Sequence, residues 1–113
     1  MSTPAFSITP EAFVQEFKDL KEHLLAGYFS PGSDISRIAA LQQAGLTEAQ
    51  IAVAREVVSG ALTDALYTVL LGLEGSASIH QHQILYKLFD EQSNELTGHI
   101  ESVAWEKFHG EDA

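Results

Sequence analysis

Apolar positions recur at helical spacing through the first two thirds of the chain. Phe13, Phe17, Leu20 and Leu24 follow one another at steps of four, three and four, with Val14 and Leu25 widening the stripe. Glu16, Lys18, Asp19, Lys21 and Glu22 mostly occupy the other side. This spacing predicts an amphipathic helix over 10–26. Thr9-Pro10-Glu11 suits its start: a capping hydroxyl, a proline at the first helical position and an acid near the positive helix end. The helix is expected to stop near Gly27, and Ser30-Pro31-Gly32-Ser33 reads as a turn.

Ser33 or Asp34 can cap a short second helix carrying Ile35, Ile38, Ala39, Leu41 and Ala44, with Gly45 as its left-handed stop. Thr47 and Gln50 have capping-box spacing, and Leu46 with Ile51 that of a hydrophobic staple. A third helix is predicted over 48–72. Ile51, Ala54, Val58, Leu62, Ala65, Leu66, Val69 and Leu73 lie on one side, with Val53, Val57, Gly60 and Ala61 beside them. A helix apolar round most of its circumference belongs in the middle of a domain. Its least charged part, Val57 to Leu73, is interrupted by Ser59, Thr63, Asp64, Tyr67 and Thr68, which reads as core and not as a membrane span.

Gly72 and Gly75, with Leu73-Glu74 between them, are expected to end this helix, and beyond them the pattern is ambiguous. Ile84, Leu85, Leu88 and Phe89 fit a helix, yet Ile84, Tyr86 and Leu88 also alternate with Leu85, Lys87 and Phe89 as in a strand. The polar run Asp90-Glu91-Gln92-Ser93-Asn94 tips the reading to a hairpin, with Glu95-Leu96-Thr97 returning antiparallel. Thr97 would then cap a last helix over 98–109, with Ile100, Val103, Ala104 and Phe108 inward and Trp105 at its edge. The expected architecture is therefore α+β in a single domain over 1–113: three helices, a small hairpin and a closing helix. Residues 1–8 read as a tail and 110–113 as a frayed end. An all-helical bundle of four or five helices is the alternative.

Charge narrows the function more than any motif does. The chain carries 16 acidic and 6 basic side chains, a formal net charge of -10. Residues 79–113 alone hold seven acids against two bases. Such a surface is repelled by phosphate backbones, so a nucleic-acid partner is not expected; a basic protein is. With no cysteine there is no disulfide, thiol nucleophile or cysteine metal site, which fits a reducing cytoplasm. The N-terminal Met-Ser-Thr-Pro-Ala-Phe does not read as a signal peptide, and no membrane association is expected.

Candidate chemistry is sparse. His80 and His82 share a face if their segment is a strand, and His99 could join them with Glu74 or Asp90. The set lacks a His-Glu-x-x-His spacing, so no metal or other cofactor is expected. Asp64 is the only charge between Glu56 and Glu74; it is either a buried acid held by a partner or part of a wetter helix edge. Nucleophile-elbow, Walker A, dinucleotide and calcium-loop patterns are absent, so nothing points to an enzyme. Tyr86, Glu91, Glu95 and Trp105 are the candidate partner-binding residues, aromatic rings within an acidic rim. The resulting expectation is a small acidic protein-binding module. In size and charge it is analogous to bacterial inhibitors and immunity proteins. Two alternatives remain: a small-ligand or metal-binding protein with its site between the third helix and the His80–His99 region, and a structural protein that forms homodimers or larger oligomers.

Overall fold

Among the described residues four α-helices carry the regular structure: α1 (Pro10–Tyr28), α2 (Ile38–Gln43), α3 (Glu48–Leu73) and α4 (Ile100–Phe108). The computed structural model describes residues 8–110. The expected tails therefore lie outside the described residues except at Ile8 and Gly110. By contact, the chain divides into two compact units, one built from 1–18 and 65–113, the other from 19–64.

The helix boundaries follow local chemistry. At the start of α1, Thr9 Oγ1 accepts the Ala12 N–H at 3.0 Å. Its end runs one residue past Gly27, which lies inside the last turn instead of terminating it. A Cβ on Gly27 would stand 2.6 Å from Ile35 Cδ1, so this glycine serves the packing of Ile35. The capping box at α3 is formed in both directions: Gln50 N–H donates to Thr47 Oγ1 at 3.2 Å, and Thr47 N–H to Gln50 Oε1 at 2.9 Å.

Glycine stops close α2 and α3 in the same way. Gly45 (φ 86°) and Gly75 (φ 73°) adopt the left-handed conformation. Each is followed by a residue whose N–H reaches back five positions, Leu46 to Leu41 O at 3.2 Å and Ser76 to Leu71 O at 3.1 Å. This is the Schellman arrangement, which satisfies carbonyls that a helix end otherwise leaves free.

Two expected caps are not used. Helix α2 begins at Ile38, not near Ile35, and its N-cap Arg37 makes no side-chain cap bond. Ser33 Oγ instead accepts from Ile35 N–H and Ser36 Oγ from Ile38 N–H, two residues on in each case. These turn bonds compete with helix and delay its start. Thr97 does not cap α4 either. It is buried, and its hydroxyl accepts from Leu88 N–H at 3.3 Å and donates to Glu95 Oε1 at 3.2 Å.

The hairpin expected over residues 79–97 is absent, and the fold is helical, not α+β. Among the described residues there is no strand, only an isolated antiparallel bridge between Phe89 and Glu95. The reversal itself is present. Asp90 Oδ1 accepts the N–H groups of both Gln92 and Asn94 at 2.9 Å, and Ser93 takes a left-handed φ of 66°. The ladder goes no further because other acceptors take the next amides. Tyr86 N–H donates to Leu73 O at the end of α3 and Leu88 N–H to the Thr97 hydroxyl. The returning chain then turns at Gly98 (φ 108°) into α4.

The unit containing 1–18 and 65–113 holds the main core: Val14, Leu70, Ile100, Ala104 and Phe108, with Phe13, Phe17, Leu66, Tyr67 and Val103 packed against them. The rings of Phe13 and Phe17 meet at 5.2 Å between centroids. Burial in the other unit is thin. Leu25 is its one buried apolar side chain, and Tyr28, Phe29, Arg37, Leu41, Ala54 and Val58 line an apolar hollow of about 260 Å³.

Helix α3 therefore does not sit wholly inside a core. Only Leu70 and Gly72 along it are buried, while Val53 is 61% and Val57 66% exposed. Six residues of α2 and part of α1 are too little to cover a helix that is apolar on nearly every side. The uncovered stripe is Val53, Val57, Gly60 and Asp64, at steps of four, three and four. By length and composition alone, the whole of Glu48–Leu73 would suffice to cross a membrane, although the part after Val57 taken alone does not read so; the core helix of a soluble protein meets the same criterion.

Candidate acidic groove beside helix α4

The strongest concentration of chemistry-bearing side chains surrounds the start of α4. A helix of nine residues presents four N–H groups at its N-terminus with no partner of their own. The N-cap residue His99 supplies no side-chain bond to them. Glu74, just past α3, supplies it from 24 residues away and more. Its Oε1 accepts from Gly98 N–H at 2.6 Å and from Ile100 N–H, and its Oε2 accepts from Glu101 N–H at 2.9 Å. The carboxylate also sits where the helix dipole is most positive. The amides that would otherwise attract an external anion are thus already occupied.

Around this cap lies an open groove of about 510 Å³, lined by Tyr67 and Glu74, by Gly98 and His99, and by Glu101, Ser102, Trp105 and Glu106. The last four share one side of α4 because positions 101 and 105, and 102 and 106, are one turn apart. Ser76 Oγ donates to Glu101 Oε2 at 2.9 Å and fixes that carboxylate. Trp105 is 52% exposed. Its ring stands 5.0 Å from that of His109, which in turn meets Tyr67 edge-on at 4.7 Å. Tyr67 also lies 6.2 Å from Phe108, so the row of rings is anchored in the core.

The electrostatics are one-signed. Among the described residues three carboxylates line the groove, and no lysine or arginine does. Burial, and then the negative charge of Glu101, push the Tyr67 hydroxyl above its usual pKa. A carboxylate or phosphate ligand would meet the same repulsion as a tyrosinate. A cation would be attracted by the acids and by the face of the indole ring.

The residues singled out from the sequence are only partly brought together. Trp105 and His99 line the groove; Tyr86, Glu91 and Glu95 do not. Tyr86, Glu91 and Glu95 are exposed on the segment that leads into and out of the Asp90 turn. His80 and His82 are exposed on the irregular stretch after α3. Among the described residues no three His, Asp or Glu side chains are grouped to hold a metal ion. Asp64 is not a buried acid: it is exposed, on the same stripe of α3 as Val53 and Val57.

Sequence reasoning missed Glu74 as a cap and Tyr67 as a groove residue. The signal for Glu74 was faint but present, since α4 has no Ser, Thr, Asp or Asn at its N-cap position and needs an acceptor from elsewhere. Tyr67 carried no signal apart from being a ring on a helix of aliphatic residues. No protein-family model, curated protein or solved structure matches the chain.

Proposed function

We propose that this protein is a binding module whose acidic groove receives a lysine or arginine side chain from a basic partner protein. One observation carries the reading. Among the described residues, a half-exposed tryptophan stands in a groove with three carboxylates and no lysine or arginine. Indole and carboxylate together suit a cation that has a long apolar stem. Exposed ion pairs contribute little singly, so affinity would come from the ring and from several charges acting together.

Trp105 is the single tryptophan of the chain and reports directly on the groove. Titration with a lysine- and arginine-rich peptide is expected to change its emission saturably, with affinity falling as salt rises. Glu101→Gln with Glu106→Gln should weaken binding by about tenfold, the order of one charge-assisted contact. An equal response to an acidic peptide, or none to the basic one, would remove the proposal.

A second reading, a homo-oligomeric structural protein, is favoured by the exposed Val53 and Val57. Light scattering at two concentrations tests it: a mass that stays at one chain rules it out.

A further inference from the structure

Along residues 85–89, every second backbone amide has no hydrogen-bond partner among the described residues. Amide partners alternate along the segment. Tyr86 N–H donates to Leu73 O at 3.3 Å, Leu88 N–H to Thr97 Oγ1 at 3.3 Å, and Asp90 N–H to Asn94 O at 3.0 Å. Leu85, Lys87 and Phe89 make no amide hydrogen bond among the described residues. A two-residue alternation is that of an extended chain, whose amides point to opposite sides in turn.

The isolated bridge fixes the direction. Leu96 N–H donates to Leu88 O and Asp90 N–H to Asn94 O, on either side of the Phe89–Glu95 pair. Phe89 is thus a non-hydrogen-bonded position, and its own N–H and C=O face away from Glu95. The segment is held close to the body of its unit. Leu85 Cα would lie 3.2 Å from a Cβ on Gly75, and Gln83 Nε2 donates to Gly75 O at 2.5 Å. Its outer side is open, with Leu85 64% and Phe89 51% exposed.

We infer that the outer side of residues 85–89 is a docking edge, on which a basic segment of a partner protein adds as an extended strand. Backbone N–H and C=O groups would give the attachment. Charge complementarity selects the occupant. Asp90, Glu91 and Glu95 flank the edge at the turn, and residues 79–113 carry seven acids against two bases. Hydrogen bonds to the Asp90 carboxylate from Asn94, Gln92 and Ile8 keep it ionised. A second copy fits less well. Antiparallel pairing centred on Lys87 sets two ammonium groups opposite each other, which is unfavourable in a cross-strand pair. The inference rests on the basic partner proposed above but uses a different surface.

The test uses the full chain, labelled with nitrogen-15, and a capped alternating lysine–valine heptapeptide as probe. Amide exchange is read residue by residue, with and without peptide. In the free protein Leu85, Lys87 and Phe89 are expected to exchange faster than Tyr86, Leu88 and Asp90. On binding, those three should slow at least tenfold, and the alternating glutamate–valine peptide should not slow them. A probe N-methylated on one edge cannot pair, and should lose the effect with the protein itself untouched. Lys87→Pro should abolish protection, and Trp105→Ala should leave it intact.

Shifts confined to Trp105 and its neighbours would overturn the edge while leaving the groove reading in place. The reverse pattern, protection at 85–89 and none at Trp105, would uphold the edge and remove the groove. Binding to neither overturns both. Concentration-dependent protection without peptide would assign the edge to a second copy and overturn the basic partner.

Discussion

Gly60 offers the sharpest check on the exposed face of α3. It sits mid-helix with nothing within 4 Å of where a Cβ would be, and its φ is not positive. Nothing in the described chain therefore uses the missing side chain. Glycine inside a helix is about 0.8–1.0 kcal/mol less favourable than alanine, chiefly through backbone entropy. Gly60→Ala adds a methyl that meets neither clash nor packing, so the whole of that difference should appear, about 1 kcal/mol of added stability. For a chain of this length the unfolding entropy converts it to roughly 4 °C in Tm. Thermal unfolding followed by far-ultraviolet circular dichroism, at two protein concentrations tenfold apart, measures the shift. A Tm that is unchanged or lower would refute the reasoning. If it also depended on concentration, another copy would be packed closely over Gly60 in solution.

Three further perturbations test the cap, the turn and the row of rings. Glu74→Ala removes the acceptor of three backbone amides and should cost about 1–2 kcal/mol by chemical denaturation; Glu74→Gln, which keeps one acceptor oxygen, should cost less. The Asp90 carboxyl has a lowered pKa, chiefly through the hydrogen bond from the Asn94 backbone N–H. Its contribution is present above the unfolded carboxyl pKa and is lost as pH falls through the lower folded value. Protection of the Gln92 and Asn94 amides, taken relative to their intrinsic exchange rates at each pH, should fall in that acidic window, and Asp90→Ala should remove that fall. Tyr67, with its pKa raised, contributes stability that is complete below the ordinary tyrosine pKa and is lost as pH rises from there through the higher folded value. Ultraviolet difference titration should show a late-ionising tyrosine signal that Tyr67→Phe removes.

What was legible in the sequence was chemistry completed within a few residues. Thr47 with Gln50, Thr9 with Ala12, and the Gly45 and Gly75 stops involve partners at most five positions apart. The helical periodicities of α1 and α3 placed both helices closely. Where sequence reading failed, the deciding partner was distant. Leu88 N–H could have continued a ladder, but a threonine hydroxyl nine residues on took it. Thr97 was thereby withdrawn from capping α4, and Glu74 did so instead across the intervening loop. Burial of α3 was misjudged for a related reason, because an all-round apolar surface does not reveal how much chain is available to cover it. At the candidate site the acidity and Trp105 were legible, whereas the ring row through His109 to Tyr67 depends on packing that no spacing encodes.

The remote cap also bears on the order in which this part of the molecule can form. Nine residues are too few to hold a helix in water unaided, because nucleation is costly. The initiating contact for α4 comes from the far end of α3, so α4 has no reason to persist until Leu71–Gly75 has closed its own glycine turn. The two should then rise and melt together, as one cooperative opening instead of two. Native-state hydrogen exchange would show this as a shared opening free energy for the last turn of α3 and the whole of α4. An α4 that opened at much lower cost would mean that its packing, and not the Glu74 tether, sets its lifetime.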